Sequence, residues 1–207
     1  MNFVDIDEDS EINYTLAGYV MKVANMLIQQ KPRKLLDFLY KDENKELIFK
    51  LCKVIYSKSM MSLAMLVINM KNEIISGNNI PRDSELYGED ITNKRVEVLE
   101  YLLNEMIYDT PNDKEKLEMH ISASGIIIET IQHWNSNFNG EVILKKLFDE
   151  GKTFETLVDK LLEHMNNSMG MLSGIFCHIA EIVQNYQQES FSQLSKSYIL
   201  IFRAKVE

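Results

Sequence analysis

The side chains able to do chemistry are few and scattered. Histidines stand at 120, 133, 164 and 178, and cysteines at 52 and 177. A zinc hydrolase of the H-E-x-x-H kind needs two histidines one helical turn apart with a glutamate between them, and a structural zinc site needs cysteines in close pairs. Neither spacing occurs. His178 and Glu181 are three apart and could share one helix face, but nothing nearby completes a ligand set. There is no G-x-S-x-G elbow, no phosphate-cradling glycine loop and no dinucleotide fingerprint. The glycines of "SMGMLSG" fall in a segment that reads as a tightly packed helix. Carboxylates are plentiful without forming a recognisable catalytic pair. The residues therefore point away from an enzyme, with no catalytic group, no cofactor and no metal expected.

The bulk chemistry narrows the partners. The chain has 207 residues, 31 acidic against 22 basic side chains and a formal charge of −9. Binding a phosphate backbone requires a basic face that displaces counterions, so nucleic acid is not an expected partner. Lys31, Arg33, Lys34 and Lys41 make one small basic patch, read as a solvated helix face. Both cysteines lie in apolar helical patterns, which suits buried thiols in a reducing compartment. Residues 3–12 carry Asp5, Asp7, Glu8, Asp9 and Glu11 in place of the basic start of a signal peptide. The most apolar run, "MMSLAMLVINM", is far short of the roughly 20 residues of a membrane span. We expect a cytoplasmic protein, with a nuclear location also compatible, and no membrane partner.

What must position any functional residue is helical. Leu47, Ile48, Leu51, Cys52 and Ile55 repeat at helix spacing, as do Leu99, Leu102, Leu103, Met106 and Ile107. Phe154, Leu157, Val158, Leu161, Leu162 and Met165 form a further stripe. Strand alternation is absent over any useful length. The pattern predicts ten helices, at about 14–30, 32–40, 44–56, 59–70, 93–108, 113–134, 141–148, 153–165, 168–186 and 190–204. Pro32 and Pro111 suit a first helical turn. Asn44, Thr153 and Ser168 are expected to cap exposed amides, while Gly140 and Gly151 bracket the seventh helix. Trp134 is expected to staple the end of the sixth. Residues 1–13 read as an acidic, flexible N-terminus, 14–204 as a single helical domain, and 71–92, punctuated by Gly77, Pro81 and Gly88, as an acidic loop insertion.

The helices at 14–30 and 59–70 are apolar on nearly every side, so each must be covered on both flanks. Stacked helical hairpins supply such cover. Units recur every 40–50 residues, at 14–56, 59–108, 113–165 and 168–204, the period of armadillo and HEAT-type arrays. The expected fold is all-α, an armadillo/HEAT-like superhelix. The twelve methionines are read mainly as core filling.

On this organisation, "AGYVMKVANMLIQQKPRKLLDFLYK" followed by "LIFKLCKVIYSKSMMSLAMLVIN" resembles the SAPS-domain family, regulatory subunits of protein phosphatase 6-type serine/threonine phosphatases. The corresponding pieces are 19–30, 35–40, 47–56 and 57–69. Downstream, "VLEYLLNEMIYDTPNDKEKLEMHISASGIIIETI" is similar to that family's helix, charged proline turn and small-residue helix, with Ser122, Ala123 and Ser124 at the small-residue step. "LKKLFDEGKTFETLVDKLLEHMNNSMGMLSGIFCHIAEIV" resembles its Phe-Asp-Gly-type turn and the helices that follow. Order and spacing hold over about 14–186. The 71–92 stretch departs from the family's more helical connection, and the family's preceding helices have no counterpart before residue 14, so the chain reads as a fragment or a compact member.

The resemblance implies a non-catalytic regulatory or scaffold subunit that binds a phosphatase 6-type catalytic subunit and directs it to substrates. It implies partner contacts at Ser122 and Ser124, read as exposed, and at Phe148, Asp149 and Lys152 in the turn. A generic helical-repeat adaptor unrelated to phosphatases is the alternative, followed by an α-helical enzyme with a buried polar pocket.

Overall fold

The computed structural model describes residues 12–71, 85–105, 114–137 and 139–150. They form seven α-helices: α1 (Tyr14–Gln30), α2 (Pro32–Leu39), α3 (Lys45–Lys53), α4 (Lys58–Ile68), α5 (Glu85–Glu105), α6 (Lys114–Gln132) and α7 (Gly140–Leu144). A short 3-10 turn, Asp42–Asn44, leads into α3, and α7 runs on into a π-helical turn, Lys145–Glu150. The described residues contain no strand, only an isolated antiparallel bridge between Lys71 and Asn137.

Local chemistry sets most of these boundaries. Asn13 caps α1, its side-chain oxygen accepting from the Leu16 amide at 3.0 Å, which satisfies one of the orphan donors of a helix start. Pro32 opens α2, where its missing N–H costs nothing. Asn44 does not cap α3 as expected. Its Nδ2 instead donates backward to the Phe38 carbonyl at 2.8 Å, tying the end of α2 to the start of α3. Asn139 adopts a left-handed backbone with φ 51°, turning the chain into α7. Gly140 is required just after it, because an added Cβ would sit 2.8 Å from the Trp134 carbonyl carbon and 2.9 Å from its Cα.

Two further expectations change. Residues 85–92, read as part of an acidic loop, are the first two turns of α5. Gly88 and the surrounding acids suggested a loop. The helix tolerates that glycine because Ile91 and Thr92, one turn later, are buried and anchor it. The seventh helix is also shorter than expected, giving way at Lys145 to the wider π turn. The predicted helices at 153–165, 168–186 and 190–204 lie outside the described residues, as do residues 72–84.

The helices pack in two rows. One runs α1–α4–α6 and the other α2–α3–α5–α7, with α1–α2, α3–α4 and α5–α6 meeting between them. Ile28 and Ala17 of α1, Met60, Leu63 and Val67 of α4, Leu99, Leu102 and Leu103 of α5, and Ile126, Ile127 and Ile131 of α6 fill one continuous core. Each large side chain so buried stabilises the fold by about 1.5–3 kcal/mol. Phe49 and Tyr101 meet edge-to-face at 5.5 Å, joining α3 to α5.

Four successive residues of α5 lock the second row to its surroundings. Thr92 Oγ1 accepts from Asn139 Nδ2 at 2.9 Å, and Asn93 Oδ1 accepts from Lys146 Nζ at 2.6 Å. Lys94 Nζ donates to the Tyr40 carbonyl at 2.6 Å, and Arg95 Nε to the Ile68 carbonyl at 2.7 Å. Lys94 thus caps the end of α2 and Arg95 the end of α4. Each places a cation where a helix presents unpaired carbonyls and the negative end of its dipole.

Candidate docking surface

The two most apolar helices meet different fates. α4 lies inside its row, with α1 on one flank and α6 on the other. Among the described residues α1 lies at the end of that row, packed against α4 and α2 on its inner side. Ala17, Met21, Ala24 and Ile28, spaced i, i+4, i+7, i+11, face the core. Leu16, Tyr19, Val23, Met26 and Leu27, spaced i, i+3, i+7, i+10, i+11, form a second stripe facing outward. Their exposures run from 42% at Leu27 to 61% at Tyr19. Five large apolar side chains on one line of one helix are a patch rather than scattered surface residues.

The rim of the stripe is basic. α1 contains no Asp or Glu. Lys22 sits beside the stripe with its ammonium 5.9 Å from the centre of the Tyr19 ring, and Lys31 and Lys34 are exposed just beyond the stripe's C-terminal end. Phe38 of α2 is a further exposed aromatic, 52% accessible.

The residues expected to touch a partner are placed differently. Ser122 and Ser124 are buried in α6, Ser124 Oγ donating to the Ile121 carbonyl at 2.8 Å. The small side chains at this step let α6 sit close to its neighbours, which is why the step is inward and not exposed. Phe148 is also completely buried, within the π turn. A docked protein would not reach these three side chains. Asp149 belongs to the same π turn, and Lys152 lies outside the described residues. Of the histidines, His120 is buried in α6, while His133 is half-exposed just after it with Nδ1 3.4 Å from Glu129 Oε1. His164, His178 and Cys177 lie outside the described residues.

Two buried polar groupings support the scaffold. Thr130 Oγ1 donates to Asn69 Oδ1 at 2.7 Å and lies 2.8 Å from the Ile126 carbonyl. Asn69 Nδ2 reaches that same carbonyl at 3.4 Å, so the end of α4 is pinned to α6. Tyr40, Cys52 and Arg95 form the second. Burial pushes the Cys52 thiol up from its ordinary 9.0 to about 12. Burial also drives the Tyr40 hydroxyl well above its usual range, with Arg95 opposing the shift. Burial lowers the pKa of Arg95, and Tyr40 partly restores it. Tyr40 and Cys52 are thereby held in their protonated forms and serve the packing.

A shallow cleft with about 10 Å³ of free volume opens between the end of α2 and the middles of α3 and α5, lined by Tyr40, Phe49, Lys94 and Glu97 among others. It is far smaller than the roughly 300–1,000 Å³ usual for small-molecule sites. No three His, Cys, Asp or Glu side chains converge as a metal site among the described residues. No described helix is long and apolar enough to cross a membrane. Compared with family models, curated proteins and solved structures, the chain matches none.

Proposed function

We propose that this chain is a non-catalytic regulatory or scaffold subunit, built as an armadillo/HEAT-like helical superhelix, that docks a phosphatase 6-type catalytic subunit and brings it to its substrates. The observation that carries the docking role is the outward apolar stripe of α1 at the open end of its row. Two rows of helices joined by cross-row pairs are what a helical-repeat stack requires. The identity of the partner comes from the likeness of 14–69, 98–131 and 144–183 to the SAPS-domain pattern. Mechanistically the work is positioning: a rigid platform holding enzyme and substrate together raises their effective concentration, without making or breaking a bond itself.

The test is reconstitution. Purified full-length chain, immobilised, is expected to retain purified phosphatase 6-type catalytic subunit. Val23→Asp, on the stripe, should weaken retention by about tenfold or more while leaving the unfolding midpoint unchanged. Failure to retain the phosphatase removes that partner and leaves the second reading, a helical-repeat adaptor for another protein. The stripe favours that reading equally, since it calls for a protein partner without specifying a phosphatase.

A further inference from the structure

We propose that the stripe on α1 is a seat for an acidic amphipathic helix of a partner protein. This rests on the docking reading above and adds the chemistry of what docks. The first argument is shape. Leu16 to Leu27 spans about 17 Å of helix axis, three turns. A straight apolar line of that length on a helix is matched by another helix offering residues at i, i+4, i+7 and i+11.

The second argument is charge. The exposed charges beside the middle and the C-terminal end of the stripe are Lys22, Lys31 and Lys34, and α1 itself holds no Asp or Glu. The chain as a whole carries −9. The local excess is therefore opposite in sign to the rest of the molecule, and it borders the apolar stripe at Lys22 and at Lys31 and Lys34. A carboxylate-bearing helix laid along the stripe meets ammonium groups within the ~10 Å over which exposed charges act at 0.1 M salt.

The same charges argue against other occupants. In an antiparallel pairing of two copies through α1, the two Lys22 side chains, near the middle of the stripe, would come together with no Asp or Glu in either α1 to offset them. An anionic lipid surface is a plane, which brings the acidic remainder of the molecule against it as well. A single helix engages only the basic end, and is the occupant the surface fits.

The experiment titrates full-length chain with two synthetic helical peptides of about 18 residues. Both carry leucine at i, i+3, i+4 and i+7; one carries glutamate and the other lysine at the flanking positions. Phosphatidylserine vesicles form a separate arm. The glutamate peptide is expected to bind at least tenfold tighter than the lysine peptide. Binding should fall about tenfold in the double variant Lys31→Glu/Lys34→Glu, be lost in Val23→Asp, and weaken as salt is raised. These side chains are exposed, and matched thermal unfolding of each variant confirms that the fold is intact.

Equal affinity for both peptides overturns the proposal. So does binding to vesicles without binding to the glutamate peptide, dimerisation that Val23→Asp abolishes, or peptide binding that appears only once residues 1–11 are removed. Retention of the phosphatase with no affinity for the glutamate peptide sinks this inference and leaves the proposed function standing. The converse result removes the phosphatase and keeps the acidic-helix site.

Discussion

α1 and α4 are near twins in composition and opposites in situation. Both are apolar around most of their circumference and both lie in the same row. α4 has a helix against each flank and exposes none of its large apolar side chains strongly, whereas α1 leaves Leu16, Tyr19, Val23, Met26 and Leu27 in solvent. A helix uncommonly rich in apolar residues must be covered on every side. α4 meets that demand inside the fold, and α1 meets only half of it there. On the proposed reading, the unmet half is where a partner would sit.

The sharpest way to break this comparison is to place one charge at matching sites. Val67→Asp in α4 buries a carboxylate where Val67 is 1% exposed. It is expected to destabilise by about 4 kcal/mol or more, read from the urea midpoint. Val23→Asp in α1 should change stability by less than about 0.5 kcal/mol. A cost above roughly 2 kcal/mol at Val23 would mean that the folded chain covers its own stripe.

The next largest effect is expected at Arg95. Arg95→Ala removes the guanidinium from the end of α4 and strands the Ile68 carbonyl, at a cost of about 2–4 kcal/mol. Asn104→Ala, exposed on the same helix, is the control and should stay within about 0.5 kcal/mol.

Alkaline pH tests the buried Tyr40–Cys52 pair. Both groups keep their protons in the folded state at pH values where the unfolded chain has released them. The folded chain therefore binds more protons, and stability falls as pH rises. Cys52 contributes fully below about pH 9, and its contribution is lost progressively as pH climbs toward 12. Tyr40 adds to the loss from about pH 10 upward. Thermal midpoints should drop across this window, and the drop should be shallower in Tyr40→Phe.

The smallest effect is predicted at Gly18 of α1, where an added Cβ finds only Ser59 Oγ, 4.0 Å away. Gly18→Ala is expected to stabilise by about 0.5–1 kcal/mol by improving helix propensity. It should leave docking unchanged, since Gly18 lies off the outward stripe.

The helices were legible because their apolar residues recur at helical intervals, and α1 runs over the span that its pattern predicts. α5 was half hidden. Its first turns carry Gly88 and several acids, signals shared with loops, and only the burial of Ile91 and Thr92 distinguishes them. The helices flanking α4 could be anticipated from its all-round apolarity, but the same reasoning covers α1 too, because composition states a need for cover without saying what provides it. The burial of Ser122 and Ser124 escaped the sequence for a related reason. Small residues such as Ser122 and Ser124 occur both on accessible surfaces and where helices approach closely. Thr92 to Arg95 gave no signal at all. A run of four polar residues reads as solvent-facing, and only three-dimensional packing reveals that each reaches the end or turn of a different element.

The seclusion of Cys52 makes that thiol a clock. At neutral pH it is protonated and shielded, so an alkylating reagent reaches it only when α3 parts from the helices around it. With Cys177 replaced by serine, the modification rate would time that opening directly, and a partner seated on α1 would slow it only insofar as the platform breathes as a unit.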